Sequence, residues 1–110
     1  MDLMKSVLLT FALAAECFDV MLTTKSYGHE ISWYLGSCSS YLAYLDDSFF
    51  SQECCVSPGD HTLTCKDSYG DGWHGGYIEI DGKPYCEDFT GGSNTITQIQ
   101  ILGEPLHLEY

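Results

Sequence analysis

Tyr77-Ile78-Glu79-Ile80-Asp81-Gly82-Lys83-Pro84-Tyr85-Cys86 is the stretch on which the fold turns. Ile78 and Ile80 alternate with Tyr77, Glu79 and Asp81, the period of a strand with one wet face and one buried face. Asp81-Gly82 comes next, and both residues tolerate positive φ, so a two-residue hairpin turn is expected there. Pro84 has no N–H to give to a ladder, which places the returning strand at a sheet edge.

The same period recurs on both sides of this hairpin. Phe18, Val20 and Leu22 alternate with Asp19, Met21 and Thr23, and Ile31, Trp33 and Leu35 alternate with Glu30, Ser32 and Tyr34. Leu63 and Cys65, Ile99 and Ile101, and Leu106 and Leu108 follow the same rule. Tyr27-Gly28, Ser57-Pro58-Gly59-Asp60 and Gly91-Gly92 supply turn signals between the runs. No long stretch carries a helical period. The pattern predicts an all-β fold, an antiparallel, jelly-roll-like β-sandwich of roughly seven to eight short strands, with a small barrel as the alternative. Trp33, at the middle of its run, belongs to the core. Ser37–Ser48, with Tyr41, Leu42, Tyr44 and Leu45, fits either a long loop or a helical turn.

Six cysteines, Cys17, Cys38, Cys54, Cys55, Cys65 and Cys86, punctuate these strands. An even count in a short exported chain reads as a disulfide framework whose pairing the sequence leaves open. Cys54 and Cys55 are adjacent, so on a strand they face opposite ways and must bond to different partners, tying two layers together. Zinc is disfavoured, because no C-x₂-C pair occurs and His29, His61, His74 and His107 lack zinc-like spacing to the thiols.

All six cysteines follow a segment laid out as a secretory signal. Lys5 precedes the apolar run Val7–Ala14, and Ala12-Leu13-Ala14 gives a small-x-small cleavage pattern. Residues 1–14 are accordingly expected to be a signal peptide and residues 15–110 a single domain, secreted to the extracellular space. The run falls well short of the ~20 residues that span a bilayer, so no membrane span is expected. The chain has 110 residues, 16 of them acidic against 4 basic, for a net charge of −12. That balance offers phosphates no basic surface and argues against nucleic-acid partners.

The most distinctive segment is Asp67-Ser68-Tyr69-Gly70-Asp71-Gly72-Trp73-His74-Gly75-Gly76. Two carboxylates four residues apart, among glycines that expose carbonyls, suit a hard cation that wants oxygen ligands. A weak calcium site is expected from Asp67 and Asp71, with Asp81 or Asp88 contributed by a neighbouring strand. The segment is no EF-hand, since its third and twelfth positions are Tyr69 and Ile78. Asp67 and Asp71 equally suit a purely structural job, accepting backbone amides to cap turns. Trp73, Tyr69 and His74, with Tyr77 nearby, would form a sugar-stacking, lectin-like surface if exposed; a buried Trp73 would instead cover one end of the core.

Three blocks, Thr24 to Trp33, Cys55 to Leu63 and Asp67 to Trp73, together resemble an extracellular β-sandwich module. That module, with its D-S-Y-G-D-G-W loop, occurs in secreted and surface proteins of algae, protists and other aquatic organisms. The resemblance covers roughly Phe18 to Ile101 and implies a β-sandwich used as a building block or binding module. Lys25 stands where the module is expected to have an acidic residue, and His61 where an aromatic is usual.

No G-x-S-x-G element or H-E-x-x-H pair is present, and the cysteines are committed to disulfides, so an enzyme is not expected. Acidic neighbours such as Asp46-Asp47 and Glu87-Asp88 read as solvated pairs. The leading expectation is a structural protein, a subunit that self-assembles into a homo-oligomer, fibril, coat or matrix by strand addition through the N-terminal run or Thr95–Leu102. The alternative is a calcium-dependent carbohydrate-binding module that recognises a glycan through Asp67, Asp71 and Trp73.

Overall fold

A computed structural model describes residues 15–40 and 43–103. The expected signal segment and the Leu106–Leu108 run lie outside these residues, as do Tyr41 and Leu42. Eight strands form: β1 (Glu16–Thr23), β2 (Ile31–Leu35), β3 (Cys38–Ser39), β4 (Phe49–Val56), β5 (Gly59–Asp67), β6 (Tyr77–Ile80), β7 (Lys83–Tyr85) and β8 (Asn94–Ile101). They divide four and four, in the orders β4-β1-β6-β7 and β3-β2-β5-β8, and every pairing within the sheets is antiparallel. The protein is a disulfide-stapled β-sandwich.

Alternation decides which side chains fill the space between the sheets. Val20 and Leu22 of β1, Cys54 and Val56 of β4, and Ile78 and Ile80 of β6 project from one sheet. Ile31, Trp33, Leu35, Leu63, Cys65, Ile99 and Ile101 meet them from the other. The predicted hairpin forms as expected: Ile80 pairs with Lys83 across Asp81 and Gly82, whose φ values are 52° and 80°. Two positive φ values give the turn the twist its strands require. Pro84 lies on β7, at the edge of its sheet.

The Ser37–Ser48 region resolves as β3 followed by an irregular connection, with no helix among its described residues. Tyr44 drops from it into the core and accepts a 3.0 Å hydrogen bond from the Trp33 indole. β4 carries a weaker alternation signal than the other strands, because Gln52 interrupts the inward set while Phe49 points outward at 60% exposure.

Disulfides join Cys17–Cys55, Cys38–Cys54 and Cys65–Cys86, leaving no free cysteine among the described residues. The adjacent cysteines do take different partners. Cys54 crosses to the other sheet through Cys38, whereas Cys55 bonds its register neighbour Cys17 on the outer face of its own sheet. Cys65 of β5 reaches Cys86, just beyond β7, and so ties the two sheets a second time. Three bridges fit an oxidising compartment such as the cell exterior. Among the described residues no helix is long and apolar enough to cross a membrane.

Candidate functional site

The β2–β5 pairing builds the site. Ile31 is in register with Asp67, so the turn before β2 lies against the loop after β5. Tyr27 enters that turn with a φ of 60°, and Gly28–Glu30 then form one turn of 3-10 helix. Thr24, buried beside it, donates its hydroxyl to the Leu45 carbonyl (2.6 Å) and accepts the Ser48 amide (3.0 Å). Asp46 accepts the Gly28 amide at 2.8 Å, which completes the clamp on the turn.

The loop itself is organised by one carboxylate. Oδ2 of Asp67 accepts the backbone amides of Gly70 (2.8 Å), Asp71 (2.6 Å) and Gly72 (3.0 Å). Such a wrap needs positive φ at Gly70 (92°) and Gly72 (82°), and at Gly72 a Cβ would collide with the Phe89 carbonyl. The amides of Trp73 and Gly92 donate to Phe89 and Gly70, both at 2.9 Å, and pin the loop to the segment before β8. In this respect Asp67 does the turn-capping job that the sequence allowed.

Three carboxylates converge where turn and loop meet. Asp67 is 2% exposed, and its Oδ1 has no hydrogen-bond partner. Oε1 of Glu30 and Oδ1 of Asp71 are likewise buried and unpartnered. The remaining oxygens are directed elsewhere: Oε2 of Glu30 lies 3.8 Å from Nε2 of His29, and Oδ2 of Asp71 lies 3.2 Å from Nε2 of His74. An oxygen each from Glu30 and Asp71 and a ring nitrogen of His74 fall within 4.8 Å of one another. Tyr27, Glu30, Tyr69 and Asp71 line a recess of about 260 Å³ over this cluster.

The electrostatics follow from that crowding. Burial, contact with the Asp67 carboxyl and the charges of Asp67 and Asp71 together push the Glu30 carboxyl above its usual range, and His29 only partly opposes them. Burial acts the same way on Asp67, but the amides of Asp71 and Gly70 and the side chains of Asp71 and Glu30 outweigh it and hold its carboxyl below the usual range. Glu30 therefore holds a proton to higher pH than an ordinary glutamate, and Asp67 stays ionised.

The structure redistributes the residues expected from the sequence. Asp67 and Asp71 come together as expected, and the third carboxylate beside them is Glu30. Asp81 is a correction: it occupies the β6–β7 turn, four residues along the strand from Tyr77, or roughly 13 Å at ~3.3 Å per residue. Asp88 is exposed in the β7–β8 connection. Trp73 is a second correction to the sugar-stacking expectation. It is fully buried against Phe89, with ring centroids 6.1 Å apart, and its indole donates to the Lys66 carbonyl at 2.9 Å. Tyr69, by contrast, is 77% exposed, and the His74 ring packs against Tyr27 at a 52° tilt with centroids 5.0 Å apart. Sequence reasoning missed Glu30 and Tyr27, because only the long-range β2–β5 register brings them to the loop.

Comparison with known proteins finds no matching family model, no matching curated protein and no matching solved structure. The residues and their geometry therefore carry the functional argument alone.

Proposed function

We propose that the protein is a secreted, non-enzymatic structural subunit that self-assembles by strand addition at β8. The observation that carries this reading is the character of the four sheet edges. β3 is only two residues long and β7 carries Lys83 and Pro84, both guards against edge pairing, whereas β4 is eight residues long and carries a single charge, Glu53. β8 is eight residues long, Asn-Thr-Ile-Thr-Gln-Ile-Gln-Ile, with no charge, proline or glycine. It pairs along its length with β5 and, among the described residues, has no strand on its other side. A groove of about 500 Å³ runs beside it, lined in part by Ile80, Tyr85, Ile99 and Leu102.

β4 is the other eight-residue edge strand, and the Cys38–Cys54 bridge puts it on the side of the sandwich away from β8. Addition of β8 to the β4 edge of a second copy is head-to-tail, and where its rotation does not close a ring it propagates a fibre or sheet. The test is light scattering and negative-stain imaging of the oxidised protein across a concentration series. Filaments or larger assemblies are expected, and a strict monomer at high concentration would sink the reading.

A second reading, calcium-dependent glycan binding, draws on Tyr69 and Tyr27, 77% and 50% exposed, beside the acidic recess. Exposed aromatic faces next to a cation suit the apolar face of a sugar ring. Glycan-array binding that vanishes on chelation supports it, and binding that survives both chelation and Tyr69→Ala eliminates it.

A further inference from the structure

Glu30, Asp67 and Asp71 share one arrangement: each uses one carboxylate oxygen locally and leaves the other buried without a partner. Only a proton on Glu30, which touches the Asp67 carboxyl, can supply a donor among these oxygens, and ionised together they form a costly arrangement, since buried polar atoms are normally paired. The cluster is more than a patch of surface acid. Asp67 is 2% exposed, and three amides fix its Oδ2, so Oδ1 cannot turn away to find water. The nearest ion-pair partners among the described residues are histidines, and they meet the outer oxygens of Glu30 and Asp71.

We infer that Oε1 of Glu30, Oδ1 of Asp67 and Oδ1 of Asp71 bind one calcium-class divalent cation, which ties the Gly28–Glu30 turn to the Asp67–Gly72 loop. The vacant ligand atoms are all oxygens, as a hard cation requires, and Glu30 and Asp71 also line the recess, from which waters would complete six to eight ligands. His74, whose ring nitrogen groups with Glu30 and Asp71 within 4.8 Å, lies 3.2 Å from Asp71 Oδ2, and we assign it as the outer partner of Asp71. The inference does not rest on self-assembly. It supplies the cation that the second reading needs, and a failure of glycan binding leaves it standing because its test reads metal alone.

Calorimetry and thermal melts of the oxidised full chain, with calcium, magnesium and zinc chlorides as probes, decide the matter. Calcium is expected to bind one per chain with a dissociation constant of about 10⁻⁴–10⁻³ M, the range of extracellular modules, and to raise the melting temperature. Glu30→Gln keeps a donor for Asp67, so the fold is retained, yet calcium affinity should fall roughly tenfold or more as one charge leaves the site. His74→Ala should leave calcium binding unchanged. No heat and no melting shift at millimolar calcium overturns the inference, as does a Glu30→Gln variant that binds like the parent. Tighter binding of zinc, abolished by His74→Ala, also overturns it in favour of a mixed Glu30–Asp71–His74 site.

Discussion

Single residues here are assigned by what their atoms touch. Trp73 sits in a loop that invites a binding role, but its zero exposure and its bond to the Lys66 carbonyl make it part of the core. Trp73→Ala is expected to cost about 3–5 kcal/mol in urea unfolding, whereas Tyr69→Ala, on an exposed side chain, should stay within ~0.5 kcal/mol. Equal, small losses would remove Trp73 from the core. The acidic cluster makes a prediction of its own in calcium-free buffer. Asp67 is held below 3.8, so its contribution to stability is present above that pH and is lost as pH falls through its lower folded value. Glu30 is held above 4.5, so its contribution is present below 4.5 and is lost as pH rises through its higher folded value. Melting temperature against pH should therefore decline on both sides. Glu30→Gln should abolish the decline above pH 4.5 and keep the acid limb.

At the scale of elements, the readable strands are those in which apolar side chains recur at consecutive inward positions. β6 and the Asp81-Gly82 turn were legible because the hairpin is local: its two strands are joined by residues that themselves set the register. β4 was harder to read, since its inward positions Phe50, Gln52, Cys54 and Val56 mix polar and apolar side chains. β8 is the element with most bearing on function. Replacing Ile96 and Gln98 by lysine puts charge on the exposed face of an edge strand, a common natural guard against pairing. The double variant is expected to shift the protein to monomer in light scattering while its melting temperature changes little. Assemblies that persist unchanged would move the contact away from β8.

For the whole molecule, two disulfides bind sheet to sheet and one binds neighbouring strands within a sheet. A small sandwich buries limited apolar surface, so cross-links that restrict the unfolded chain carry unusual weight. Removing the Cys38–Cys54 bridge by double alanine substitution frees a loop whose ends are 16 residues apart. The chain-entropy model puts the cost at about 3 kcal/mol, measurable by denaturant unfolding. A loss near zero would mean that apolar packing alone holds the layers together.

Alternation, turn residues and cysteine count together pointed to an antiparallel all-β fold with bridges, because each is a property of neighbours along the chain, and the two separate sheets decided sandwich over barrel. The opposite facing of Cys54 and Cys55, and hence their separate partners, followed from the same local geometry. Disulfide pairing and the burial of Trp73 waited on the folded molecule, and so did the exchange of Asp81 for Glu30 beside Asp67. All three depend on which strands lie side by side, and strand order in a sandwich is set by packing between residues far apart in sequence. Ile31 opposite Asp67 is the decisive register, since it carries Glu30 to the Asp67 loop across more than thirty intervening residues.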